Sequence, residues 1–181
     1  MELDRQRILE ALAELDRRLG ERGISAEVCL FGGAAMILAF QARQTTKDID
    51  AIFAPSAVVR ELAKQIGEEK GYTAGWFNDG VKGFVSDRPE HTAANLPQFS
   101  HLKVMMPAPT YLLAMKCLAA RVATPDATDV QDVKFLVRHL GLRQPTDVLE
   151  IVARYYPANR IQPKTQYFVE AVMEELQNDN P

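Results

Sequence analysis

The chain has 181 residues, of which 47% are apolar, and a formal net charge of −3. This length suits one domain, or one domain with a helical extension, with enough apolar residues for a sizeable core. The near-balanced charge argues against binding nucleic acid through bulk electrostatics. The N-terminal residues do not resemble a signal peptide and no apolar run could span a bilayer, so we expect a cytoplasmic protein without membrane contact.

Helices and strands alternate in the first half of the chain. Apolar residues recur at helical spacing from Ile8 to Leu19, which predicts an amphipathic helix. The elements predicted next are a strand over 27–31, a helix over 34–40, a strand over 49–53 and a helix over 56–69. Residues 71–100 are rich in glycine and proline and are predicted as loops and short elements. A strand over 102–106 follows.

The second half is predicted to be helical. Its helices are expected at 111–122, 126–140, 146–155 and 165–177, and Thr124-Pro125-Asp126 is a typical helix start. The order of elements predicts an α+β fold, a small mixed sheet flanked by helices with a helical C-terminal half. We assign 1–108 to the α/β core and 109–181 to a helical region packed on it. Cys29 and Cys117 lie in apolar runs and are interpreted as buried thiols of a reducing compartment.

A glycine pair and two aspartates form the segment that folding alone explains least. Gly32 and Gly33 stand between a strand and a helix, where the backbone can approach a phosphate and the helix N-terminus favours an anion. Asp48 and Asp50 alternate with Ile49, so both point to one face of a strand. Two adjacent carboxylates need a cation between them, and oxygen ligands suit Mg²⁺ or Mn²⁺. The segment therefore predicts a site for phosphate and metal.

Each half of this segment also has a structural explanation. A Gly-Gly pair can be a tight turn, and Asp-x-Asp can be an Asx turn or a strand edge. The order and closeness of the two halves favour a functional interpretation. Arg43 and Lys47 flank the acids and either bind phosphate or neutralise the acidic pair.

The segments Phe31-Gly-Gly-Ala-Ala-Met-Ile-Leu and Thr46-Lys-Asp-Ile-Asp-Ala together resemble the signature of the nucleotidyltransferase superfamily of the DNA polymerase β type. Their spacing is most similar to AbiEii-like and MenT-like toxins and small uncharacterised relatives. Residues 111–121 with Asp129-Val-Gln-Asp132, and residues 76–84, resemble further parts of the same family. The resemblance covers residues 28 to about 140.

This resemblance implies metal-dependent transfer of a nucleoside monophosphate from a nucleoside triphosphate to an acceptor hydroxyl. Asp48 and Asp50 would hold the metal and the glycine pair would cradle phosphates. Lys116 would contact the triphosphate, and Asp129, with Asp132 as a substitute, would act near the active site. From the residues alone, Lys116 lies in an apolar helix, so its ammonium either pairs with Asp129 or extends to the surface.

The sequence departs from the family in one respect. Many members carry a third carboxylate on a later strand, but the predicted strand over 102–106 contains no acid. Asp79, Asp87, Glu90 and Asp129 are candidates to supply it, and the spacing selects none of them. A non-catalytic nucleotide-binding or interaction module is therefore an alternative to the enzyme.

The resemblance implies tRNA or another RNA as the acceptor, within a toxin–antitoxin system that has an antitoxin protein as partner. Other members of the superfamily modify proteins or small molecules. A local basic patch in the helical half would support an RNA acceptor, although a solvated charged surface explains the same residues. The patch residues are Lys134, Arg138, Arg143, Arg154, Arg160 and Lys164, which outnumber the acids Asp147 and Glu150.

Overall fold

The computed structural model describes residues 2–120 and 127–178 and confirms the α+β fold. In this part of the chain the helices are α1 (Arg5–Glu21), α2 (Gly32–Phe40), α3 (Ser56–Lys70), α4 (Pro109–Ala119), α5 (Ala127–His139), α6 (Pro145–Tyr155) and α7 (Pro163–Asn178). The strands are β1 (Leu3–Asp4), β2 (Ala26–Leu30), β3 (Thr45–Thr46), β4 (Ile49–Ala54), β5 (Phe77–Asn78), β6 (His91–Thr92) and β7 (Leu102–Pro107). The predicted helix start at 124–126 lies outside the described residues. None of the described helices combines the length and the apolarity needed to cross a membrane.

The chain divides into two compact units, of which the first comprises the residues up to Gly83 together with His91–Met106. Its main sheet has the order β5-β4-β2-β7-β6. Strand β2 is antiparallel to β4 and parallel to β7, and β4 is parallel to β5. The mixed sheet that the sequence predicted is therefore present.

The predicted amphipathic helix is α1, and its apolar residues are buried. Its first turn is capped by Asp4, whose carboxylate accepts from the Arg7 backbone N–H at 2.8 Å. The carboxylate of Asp16 accepts from the backbone N–H groups of His101 and Leu102 at 2.6 and 2.9 Å. Helix α1 thus fixes the start of β7.

The second unit comprises Phe84–Glu90 and the described residues after Met106. Helix α4 is buried along most of its length and packs against α5, α6 and α7. The segment Phe84–Glu90 is attached to the rest of this unit by hydrogen bonds. The Ser86 N–H donates to the Tyr111 hydroxyl at 2.8 Å, and Arg160 donates to the Val85 carbonyl at 3.0 Å.

Both cysteines are buried free thiols, as predicted. Cys29 lies in β2 and Cys117 in α4. Burial raises the pKa of each thiol to about 12, because the thiolate is poorly solvated there. Neither is therefore a reactive thiolate near neutral pH.

Candidate functional site

Helix α2 begins on the glycine pair itself rather than after it. The sequence predicted a helix over 34–40, whereas the helix starts at Gly32, with Phe31 as an extended N-cap residue. In the described structure no side chain caps this end through a hydrogen bond. The first N–H groups of a helix have no partner within the helix, so this end presents donors suited to an anion.

The carboxylate of Asp50 lies against the start of α2. Gly32 has φ +53°, in the left-handed region that favours glycine, and a Cβ added there would lie 3.0 Å from Asp50 Oδ2. The Phe31 N–H also donates to the Asp50 carbonyl at 2.8 Å, which ties β4 to the residue before the helix. Backbone conformation thus favours glycine at this position, and a Cβ there would press against the Asp50 carboxylate.

Gly33 faces a second group of polar atoms. A Cβ on Gly33 would lie 2.4 Å from Thr46 Oγ1 and 3.0 Å from Arg43 Nη1. Arg43 is therefore beside the glycine pair, as a phosphate-binding role requires, whereas Lys47 is exposed. Thr46 was not predicted as a site residue. It is buried and is placed here by the pairing of β3 with β1, in which Thr46 lies opposite Leu3.

The two aspartates lie at the start of β4. Asp48 immediately precedes the strand and Asp50 is within it, while the alternating residues Ile49 and Ala51 are buried. Within β4 the buried residues therefore alternate with partly exposed ones, as the sequence predicted. Asn78, which was not predicted, pairs with Asp50 in the register of β4 and β5, and its Nδ2 lies 3.4 Å from Asp48 Oδ2.

This donor set fits a magnesium ion held by two carboxylates. Mg²⁺ is commonly bound by one or two carboxylates and completes its shell with substrate phosphates and water. Within residues 2–120 and 127–178, no group of three or more His, Cys, Asp or Glu side chains could hold a metal ion. Asp48 and Asp50 would therefore hold a magnesium ion only together with phosphate oxygens or water, since they do not form a full set of protein ligands.

Three of the candidates for a third carboxylate have different surroundings in the structure. Asp79 forms ion pairs with Arg60, at 2.8 Å, and with Lys82. The hydrogen bond from Arg60, followed by that from Lys82, lowers the pKa of Asp79 to about 2. In the second unit, Asp87 is exposed and Glu90 accepts a hydrogen bond from the Tyr155 hydroxyl at 2.6 Å.

Lys116 is buried in the second unit with two aspartates beside it. Its Nζ lies 2.7 Å from Asp132 Oδ2 and 3.3 Å from Asp129 Oδ1. The Lys116 side chain is 9% exposed, so the interpretation that it extends to the surface is wrong. The side chain of Asp132 is 2% exposed and that of Asp129 is 42% exposed. The expected pair with Asp129 is present, but Asp132 is the nearer and more buried partner.

A family comparison bears on these residues. The family described as "Nucleotidyltransferase of unknown function (DUF6036)" matches residues 6–140. The chain belongs to this family. The matched part of this DUF6036 protein contains the glycine pair, Asp48, Asp50, Lys116 and Asp129, and the family description supports the superfamily that the sequence predicted. No curated protein and no solved structure matched the chain.

Two members of the predicted basic patch are engaged inside the second unit of this DUF6036 protein. Lys134 is buried and pairs with Glu175 at 2.9 Å. Arg160 lies over the ring of Tyr156, 5.1 Å from its centroid, and is hydrogen-bonded to the Val85 carbonyl. The remaining basic side chains of the patch are exposed, namely Arg138, Arg143, Arg154 and Lys164.

Proposed function

We propose that this DUF6036 protein is an enzyme that transfers a nucleoside monophosphate from a nucleoside triphosphate to an acceptor hydroxyl, with Mg²⁺ or Mn²⁺ as cofactor. One observation carries the proposal. The carboxylate of Asp50 lies against Gly32, at an uncapped helix N-terminus. A candidate metal ligand thus lies beside a candidate phosphate cradle, an arrangement that a metal–triphosphate substrate would require.

The residues of the first unit have distinct roles in this proposal. Asp48 and Asp50 would hold the metal ion, which would supply positive charge next to the phosphate oxygens. The N–H groups at Gly32 and Gly33 would orient the phosphates, and Arg43 would add a cationic donor beside Gly33. Phosphoryl transfer depends mainly on positioning and electrostatic stabilisation, which these groups are suited to provide.

The substrate class is a further part of the proposal. The resemblance to AbiEii-like and MenT-like toxins favours a tRNA or another RNA as acceptor, an antitoxin protein as partner and action in the cytoplasm. The exposed basic side chains of the second unit are suited to contact RNA phosphates. The role of Lys116 in binding the triphosphate and that of Asp129 in catalysis stay predictions from the same resemblance.

A labelling experiment tests the proposed reaction. The protein is incubated with each α-labelled nucleoside triphosphate, Mg²⁺ and either total tRNA or a cell lysate, and the labelled product is identified. We expect Asp48→Ala and Asp50→Ala to abolish labelling while circular dichroism stays unchanged. Asp79→Asn is the control, because Asp79 is committed to Arg60 and Lys82. Transfer by Asp50→Ala at the wild-type rate would refute the assignment.

A second candidate function is a nucleotide-binding module without transferase activity. This candidate is favoured by the small number of possible metal ligands. The described residues provide no third acid beside Asp48 and Asp50. Calorimetry with a nucleoside triphosphate and Mg²⁺, run beside the labelling assay, distinguishes the two functions. Binding that depends on Asp50 with no transfer to any acceptor would favour the module.

A further inference from the structure

The side chain of Asn78 is held in one orientation by contacts on both sides of its amide. Its Oδ1 accepts from the Gly80 backbone N–H at 2.9 Å. Its Nδ2 lies 3.4 Å from Asp48 Oδ2 and 3.3 Å from the Gly75 carbonyl. Because the two groups on the Nδ2 side are acceptors and the group on the Oδ1 side is a donor, only this orientation of the amide satisfies all three contacts.

The backbone places Asn78 beside both candidate metal ligands. Strands β4 and β5 are parallel, and Asp50 lies opposite Asn78 in their register. Asp48 is two residues earlier than Asp50 and lies just before β4. Among the described residues, the Asn78 amide is the only hydrogen-bond partner of the Asp48 carboxylate. An Asp outside a strand has more conformational freedom than one within it, so a fixed donor would limit the positions of its carboxylate.

We propose that Asn78 is a positioning residue that orients the Asp48 carboxylate for metal binding. The amide N–H donates to one oxygen of Asp48 and leaves the other oxygen for the metal ion. At 3.4 Å the contact is long for a hydrogen bond, so it constrains the Asp48 carboxylate without holding it tightly. Groups that orient metal ligands in this way typically change metal affinity by about 10- to 100-fold when they are removed. This inference rests on the proposed function of Asp48 and Asp50.

The test is Mn²⁺ binding, measured by electron paramagnetic resonance on the full chain. In Asn78→Ser, the hydroxyl can still accept from the Gly80 N–H as in an ST turn, but it lacks the amide donor to Asp48. Asn78→Thr makes the same change with a side chain that favours strands, in case the serine variant does not fold. We expect about a 10-fold or greater loss of Mn²⁺ affinity in variants that keep a cooperative thermal transition, with a small fall in melting temperature from the lost contact with the Gly75 carbonyl. Asp79→Asn, the control in the same loop, should bind Mn²⁺ like the wild type.

The outcomes separate this inference from the proposed function. Wild-type Mn²⁺ affinity in the folded Asn78 variants would overturn the positioning role but leave the metal site intact. An equal loss of affinity in Asp79→Asn would also overturn it, because the effect would then belong to the whole loop. Wild-type protein that binds no Mn²⁺, or binds it equally well after Asp50→Ala, would overturn the proposed function and this inference together.

Discussion

At the scale of single residues, Gly33 is required by space rather than by backbone conformation. Its Cβ would lie 2.4 Å from Oγ1 and 2.8 Å from Cβ of Thr46. Alanine gains up to about 1 kcal/mol over glycine in helix propensity, whereas forcing a methyl group into a packed site costs about 1–3 kcal/mol. We expect Gly33→Ala to lower the free energy of unfolding by about 1 kcal/mol, measured by urea denaturation.

Gly83→Ala is the matched control for this substitution. A Cβ on Gly83 meets nothing within 4 Å, and its φ is outside the left-handed region. The same chemical change there should leave the free energy of unfolding within about 0.5 kcal/mol of wild type, as is usual for surface substitutions. If Gly33→Ala were as stable as Gly83→Ala, the packing of Thr46 against α2 would be contradicted.

The residues of the candidate site differ in how far the sequence could predict them. Gly32, Gly33 and the two aspartates carry short-range signals, namely a glycine pair before an apolar run and acids at period two. Thr46 and Asn78 carry none. Their positions depend on the pairing of two-residue strands with partners distant along the chain, β3 with β1 and β5 with β4. Such pairing is set by tertiary contacts rather than by local propensity.

At the scale of elements, α1 and α3 are joined by a network of ion pairs that predicts a pH effect on stability. Glu14 interacts with Arg17 and Arg18, each at 2.7 Å, and Arg18 also pairs with Glu69 of α3. The hydrogen bond from Arg17 is the largest cause that lowers the pKa of Glu14 from 4.5 to about 2. The resulting stabilisation is fully present above pH 4.5 and is lost as the pH falls towards 2.

We therefore expect Glu14→Gln to be less stable than wild type at neutral pH by up to about 1 kcal/mol, the usual limit for exposed pairs. The difference should shrink between pH 4.5 and pH 2, as measured by urea unfolding at each pH. In an Arg17→Gln background the same substitution should have a smaller effect with a weaker pH dependence. A difference that is constant from pH 7 to pH 2 would contradict the role of Glu14.

The contact between α4 and α5 predicts different consequences for the two aspartates beside Lys116. Asp132 is almost fully buried, so Asp132→Asn would leave the buried ammonium poorly compensated and cost about 3–5 kcal/mol. Asp129 is 42% exposed and farther from Nζ, so Asp129→Asn should cost less than about 1 kcal/mol. Thermal and urea unfolding of the two variants measures the difference.

The different stability costs of these two substitutions make one of them a better test of catalysis than the other. A loss of transfer in Lys116→Ala or Asp132→Asn would not separate a catalytic effect from unfolding. Asp129→Asn keeps the buried pair of Lys116 with Asp132 and is the cleaner test of a catalytic role. Equal destabilisation by Asp129→Asn and Asp132→Asn would contradict the ranking of the two partners by burial.

The elements themselves were predicted with uneven success. The helices were predicted because apolar periodicity and proline or glycine boundaries are local signals, although α2 begins two residues earlier than expected. The strands over 27–31, 49–53 and 102–106 were found as β2, β4 and β7. The two-residue strands β1, β3, β5 and β6 were not predicted individually, because two residues are too few to show an alternation of apolar and polar side chains.

At the scale of the whole molecule, neither compact unit is a continuous stretch of chain. The chain leaves the first unit after Gly83, returns at His91 and leaves it again after Met106. The intervening segment Phe84–Glu90 is bound within the second unit, where the hydroxyl of Tyr156 donates to the Phe84 carbonyl at 2.5 Å. The helical unit thus includes a segment that precedes its first helix by about 20 residues of sequence.

We expect a fragment of residues 107–181 to lack cooperative unfolding, because the Tyr155 and Tyr156 hydroxyls lose Glu90 and Phe84 as acceptors. A hydrogen bond typically contributes about 0.5–1.5 kcal/mol, and the loss of two is a large share of a small unit's stability. A second fragment, in which residues 84–90 are joined to residue 107 by a glycine–serine linker, should regain a cooperative thermal transition and near-ultraviolet circular dichroism. Tyr156→Phe within the linked fragment should lower its melting temperature. A cooperative transition in the 107–181 fragment alone would show instead that the helices form a sufficient core without Phe84–Glu90.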